Sequence, residues 1–230
     1  MLTTDDFRAL VPGPVPVDGK TWALTVHDLG LLKVPSGRLE ASDPFVTLGN
    51  GSVFEVPPGE YPVRVTIADV SDEQDGSNLR EAYLSVVLAD GVVAAVEAAP
   101  KPEADLPADE YWVVGVDAGT VAFADADAVR TCMPEGDWYE ELFDNDTDQS
   151  WFNLMDSAEH LREGCANIVM PLARAGENVV LSHSGWGDGV YPVIRTLDAD
   201  GKPLAIHIDL LVVGPAEGAD EDALPAPAPG

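Results

Sequence analysis

Basic residues are scarce in this chain. Lys and Arg number 12 against 41 Asp and Glu, a formal net charge of −29. A field of that sign repels phosphate backbones and anionic bilayers, which argues against nucleic acid and membrane surfaces as partners and leaves a basic protein as the complementary chemistry. Cysteine is almost absent. Cys132 and Cys165 stand alone, without the CxxC spacing or nearby His of a zinc site, so no disulfide framework is expected and a reducing, cytoplasmic setting is. Long apolar runs are missing too, and with them the signature of a membrane-spanning helix. The opening residues Met1–Asp6 lack the basic and apolar regions of a secretory signal, so none is expected. G-x-S-x-G, P-loop and H-E-x-x-H motifs do not occur. No metal and no cofactor is expected.

What the chain does have is a β pattern. Trp22–His27, Gly37–Glu40, Val53–Val56 and the period-two stretch Tyr61–Ala68 read as strands. Ala82–Leu88, Ala89-Asp90-Gly91 and Val92–Val96 read as a hairpin, because Asp-Gly accepts the positive φ of a tight turn. Tyr111–Val116 and Val121–Phe123 read as a second hairpin around Asp117-Ala118-Gly119-Thr120. Ile168–Ala173, Val179–Ser182, Tyr191–Thr196 and Pro203–Val213 complete the set, with Asp198–Gly201 turning between the last two. Thr3–Leu10 reads as a short capped helix and residues 126–163 as a helical, irregular insertion. These signals predict a mainly β (α+β) protein, an antiparallel sandwich or strongly bent sheets with a minor helical insertion, over residues 1–213. The Pro-rich stretch 99–109 is the candidate subdomain boundary, and 214–230 reads as a disordered acidic tail.

Charge and glycine mark the candidate functional segments. Between Arg130 and Arg162 lie nine acids and no Lys or Arg, the natural face for a basic partner. Asp144, Asp146 and Asp148 begin like a calcium loop, but Gln149 and Met155 stand where Gly and Glu are required, which excludes an EF-hand. Asp117–Thr120 superficially matches a phosphate-handling turn and is more simply a hairpin turn. His183-Ser-Gly-Trp-Gly-Asp-Gly189 is the richest segment. Its glycines allow close approach to backbone N–H groups, and His183 with Asp188 could bind or activate. Equally, Trp186 could plug a core edge while Asp188 caps backbone donors. The candidate site residues are therefore His183, Trp186, Asp188, Asp117 and Asp125. Two functions follow: a non-catalytic module for a basic protein partner, or a metal-assisted hydrolase using loop 183–189 with Asp117 and Asp125 as further carboxylates.

Gly59-Glu-Tyr-Pro-Val63 and Gly189-Val-Tyr-Pro-Val193 share the pattern G-x-Y-P-V. Proline is tolerated at a strand's opening, so the echo has a local explanation without duplication. The segments Val56–Val63, Asn78–Tyr83, Gly115–Thr120 and Ser184–Val193, in that order, resemble the bacterial family catalogued as domain of unknown function 4241. The resemblance spans about residues 40–213. It implies one conserved module and carries no activity with it.

Overall fold

The computed structural model describes residues 4, 6–17, 19–101, 106–107 and 110–214. The tail expected at 214–230 lies outside these residues from 215 onward. So do Thr3 and Asp5 of the expected first helix, and its described part, Asp6–Leu10, is loop and turn. Phe7 instead lies against the β-sheet, edge-on to Tyr83 and His207 at 5.1 and 5.0 Å. Burial of that ring outcompetes the weak propensity of a one-turn helix.

The fold is mainly β, with 45% strand and 9% helix. Among the described residues thirteen antiparallel strands build two sheets: β1 Gly13–Val17, β2 Lys20–Val34, β3 Arg38–Ser42, β4 Ser52–Glu55, β5 Gly59–Asp69, β6 Leu79–Val87, β7 Ala95–Ala98, β8 Val113–Val116, β9 Thr120–Asp125, β10 Cys165–Val169, β11 Asn178–His183, β12 Gly189–Leu197 and β13 Pro203–Asp209. The larger sheet runs β1-β2-β5-β6-β13-β12-β7, with β8 also on β12, and the smaller runs β10-β11-β9-β3-β4. Val63, Val65, Leu84, Val86, Val193 and Ile208 of the larger sheet bury against Leu39, Phe54, Phe123 and Val180 of the smaller. A third layer covers the small sheet's other face. It comprises α1 (Ala126–Cys132), the π-helix Tyr139–Phe143 and α2 (Trp151–Asp156), which pack Val129, Phe143, Trp151 and Met155 on Ala122, Ala124, Val179 and Leu181. Strand β9 is buried at every position because both of its faces are covered. The expected helical insertion is this third layer.

Two expected hairpins do not form. Strand β6 is hydrogen-bonded on one edge to β5 and on the other to β13, so β7 has no free edge there and pairs with β12. Asp90-Gly91 is accordingly not a hairpin turn: Leu88 and Ala89 still donate to Leu204 O at 2.8 and 3.1 Å. Likewise β8 pairs with β12 and β9 with β3 and β11, so Asp117–Gly119 joins strands of different sheets.

The path β2-β3-β4-β5-β6 is traced again by β7/β8-β9-β11-β12-β13. Residues 35–37 and 117–119 join matching strands, with Gly37 and Gly119 at φ +76° and +62°. Val56 N donates to Gly37 O at 2.9 Å, and Ser184 N to Gly119 O at 3.0 Å. Tyr61 Oη donates to Pro57 O, and Tyr191 Oη to Gly187 O, four residues upstream in each case. The G-x-Y-P-V echo is thus one structural corner used twice. The two halves meet at β6–β13 in one sheet and β3–β9 in the other. Two wholly buried aspartates lock that seam reciprocally. Asp43, after β3, accepts from Asp117 N and Ala118 N at 2.9 and 2.8 Å. Asp125, closing β9, accepts from Ser36 N and Ser36 Oγ at 2.8 and 2.6 Å. Each half's carboxylate satisfies the other half's turn. The Pro-rich stretch 99–109, of which 102–105 and 108–109 lie outside the described residues, falls in sequence between β7 and β8, the two strands that match β2.

Candidate functional site

Of the sequence-chosen residues, three share one corner. The connection from β11 to β12 folds over the start of β6. Gly185 has φ +67°, and a Cβ there would lie 2.6 Å from both Glu81 O and Val212 Cγ2, so only glycine fits the close approach. Asp188 Oδ1 accepts from Gly119 N at 3.0 Å, which ties the loop to the β8–β9 turn. Trp186 is 55% exposed. It does not plug the core: the loop carries the ring outward, where the Arg80 guanidinium sits 5.5 Å from its centre. His183 ends β11, its Nε2 3.5 Å from Asp156 Oδ1 of α2.

Asp117 and Asp125 are placed elsewhere. The Asp117 side chain is exposed on the turn, and only its backbone N–H is engaged, by Asp43. Asp125 is wholly buried and accepts from Ser36, Asp127 N and Ala128 N, capping α1. His183 pairs with Thr120 at the opposite end of β9, so Asp125 lies five residues, about 16 Å, along the strand from it. Among the described residues no group of three or more His, Cys, Asp or Glu side chains could hold a metal ion. The convergence that a metal-assisted hydrolase needs is absent from this corner.

Sequence reasoning missed Arg80 and Glu81. They line the same cavity, of about 270 Å³, with His183 and Trp186. Glu81 is 8% exposed, and burial raises its carboxyl's proton affinity against the pull of His183, Arg162 and Arg80. A Cβ on Gly164 would meet Glu81 Oε1 and His183 Nδ1, each at 3.0 Å, so the two side chains converge on one point. The usable signal was a charged pair at the start of the mostly apolar run Leu79–Leu88. Cys165, behind Glu81, is wholly buried, and its thiol pKa is pushed up to about 12 by burial first and the Glu81 charge second. It is not a nucleophile at neutral pH. Cys132 is buried as well, as expected.

A larger groove opens where the β3–β4 connection faces the helical layer. Its cavity, about 670 Å³, is lined by Phe45, Val46, Trp138, Tyr139 and Phe143, with Asp137 beside them. Phe45 is the hub, stacked on Phe152 at 4.1 Å and edge-on to Phe143 at 5.1 Å. Tyr139 and Val46 remain 52% and 53% exposed. The π-helix, a geometry frequent at functional sites, turns Tyr139, Glu140 and Glu141 outward while burying Phe143. Aromatic faces carry negative quadrupole charge, and Asp137 lines the groove beside them while Glu140 and Glu141 are exposed on the adjoining π-helix.

Fold and sites together define a double-sheet, acidic β protein whose described residues form an aromatic cleft and a polar one. Residues 32–208 match the family model described as protein of unknown function (DUF4241), and the chain belongs to that family. The match begins within β2, earlier than the resemblance read at residue 40. No curated protein and no solved structure matches the chain. No helix among the described residues is long and apolar enough to cross a membrane.

Proposed function

We propose that the protein is a non-catalytic interaction module of the cytoplasm, which captures a basic protein partner in the aromatic groove between residues 44–50 and 136–143. One observation carries the reading: four aromatic side chains line a cavity of about 670 Å³, and three of them, Trp138, Tyr139 and Phe143, come from a 31-residue stretch holding nine acids and no Lys or Arg. Aromatic rings supply apolar contact and cation–π attraction to Arg or Lys, and the surrounding carboxylates steer a basic surface into place. The rings supply affinity. The carboxylates supply rate and selection among partners.

The test uses the full chain and a fluorescent amphipathic peptide with Arg on one face and Leu on the other. Binding, followed by Trp fluorescence, should weaken on the order of tenfold from low to physiological salt, since surface charge is screened over that range. Glu140→Lys with Glu141→Lys should weaken it by a similar factor, mainly through the association rate. Peptide affinity that ignores both salt and the charge reversal would remove the basis for the reading.

A further inference from the structure

The two structural halves supply an internal control. Where the first half passes from Val56 to Gly59 through Pro57-Pro58, the second passes from Ser184 to Gly189 through Gly185-Trp186-Gly187-Asp188. The flanking bonds are kept: the Val56 and Ser184 amides, and the Tyr61 and Tyr191 hydroxyls, bond in the same way on both sides. The shorter, rigid version therefore satisfies the corner. The longer version replaces the two prolines with two glycines, a Trp and an Asp and leaves that ring 55% exposed, costs in entropy and hydration that closing the corner does not require.

What the extension does create is the cavity of about 270 Å³ with Arg80, Glu81 and His183. Its charges are unusual for so acidic a chain. Two guanidinium groups, Arg80 and Arg162, act on Glu81 together with His183. Arg80 Nε and Arg162 Nη1 are both buried N–H donors with no acceptor among the described residues. Buried donors are almost always satisfied, so the one on Arg80, which lines the cavity, asks for an oxygen from outside the chain.

We propose that this cavity binds a small molecule through its carboxylate, with the Arg80 guanidinium as anchor and the Trp186 ring as wall. An Arg side chain presents Nε–H and Nη–H as a fork that matches the two oxygens of a carboxylate. Trp186 lies against the same guanidinium and faces solvent on its other side, so a ligand with a planar apolar group gains contact there. Asp188 holds the loop to Gly119 from outside the cavity, and the His183–Asp156 contact fixes the imidazole at its far edge. The site is separate from the aromatic groove.

The test is an NMR titration of the ¹⁵N-labelled full chain with sodium benzoate, sodium chloride holding the ionic strength constant. Saturable shifts are expected at the Trp186 indole N–H, the Arg80 Nε–H and the Gly185 and Gly187 amides, with benzoate several-fold tighter than acetate. Arg80→Gln should weaken benzoate about tenfold while the other resonances stay in place, because the charged fork is lost and the fold is not. Trp186→Ala provides an independent arm: it should reduce benzoate affinity to that of acetate. The proposal is overturned by shifts that never saturate or that chloride alone reproduces. It is overturned equally by undiminished benzoate binding in either variant, or by inorganic phosphate binding at least as tightly as benzoate.

Discussion

The first half of the chain closes its corner with the two residues Pro57-Pro58; the second spans the same corner with four, and three of them line a cavity. The difference shows what a scaffold must keep and what it is free to change. Both halves keep the glycine turn, the amide bond across it and the tyrosine hydroxyl on the carbonyl four residues back. The second half alone adds the helical layer and the extended corner. Both candidate sites include this added material, as expected where a rigid frame carries its chemistry on its connections.

The sharpest way to break the comparison is at the aspartate seam. Asp125→Ala would leave the Ser36, Asp127 and Ala128 donors without a buried acceptor, and Asp43→Ala would do the same at Asp117, Ala118 and Thr120. Each change should cost about 3–5 kcal/mol, measured by urea denaturation, because several buried donors lose their partner at once. If one variant costs under about 1 kcal/mol, the two carboxylates are not equivalent in role.

The halves also differ in buried charge. In β13, burial pushes the Asp209 carboxyl up to about 7 and the His207 imidazole down to about 3. The signs oppose. Asp209 binds its proton more tightly folded than unfolded, so its contribution falls as pH rises from about 4 to 7. His207 is more readily protonated unfolded, so its contribution rises from about pH 3 to 6.5. In the native chain the two slopes largely cancel between pH 4 and 6.5. Asp209→Asn, which keeps an acceptor for Leu211 N, should raise stability at pH 8 by roughly 1–3 kcal/mol and unmask the rising His207 slope. Melts of both proteins from pH 4 to 8 check this; parallel profiles would refute it.

The smallest effect is expected at Trp186, the ring that one reading of the sequence set as a plug at a core edge. Trp186→Ala should shift stability by about 0.5 kcal/mol or less, in contrast to the 3–5 kcal/mol of a buried aromatic, since the ring is 55% exposed. A thermal melt of this variant also sharpens the binding test, which depends on the same side chain without depending on its stability.

Much of the fold was legible. Alternation marked Tyr61–Ala68 and Tyr191–Thr196 as strands, and the Asp198–Gly201 turn joins β12 to β13 as read, Asp198 Oδ1 accepting from Asp200 N and Lys202 N at 2.9 Å each. Pairing was less legible, because an Asp-Gly dipeptide reports local backbone freedom and not whether the preceding strand's edges are already taken. Of the candidate site, the glycine loop and the acidic stretch were visible as composition. Arg80 and Glu81 were hidden because β6 reaches that corner from about a hundred residues away in sequence. Trp186 was misplaced because a tryptophan between glycines looks alike whether its loop turns inward or outward. Asp125 looked available for chemistry, yet its oxygens are fully used by Ser36 and α1.

The seam between the halves has a kinetic side. Leu84 lies beside Ile208 and Leu39 beside Asp125, so the central pairing of each sheet joins strands distant along the chain. Neither half can complete a sheet alone, and the reciprocal carboxylates are of use only once both turns are in place. Such non-local closure belongs to the slow end of two-state folding, milliseconds to seconds, because loop entropy is lost before the central contacts repay it. Until then β6 and β3 are open edges on apolar strands. For that interval, a surface rich in carboxylates is what keeps one unfinished chain from pairing with another.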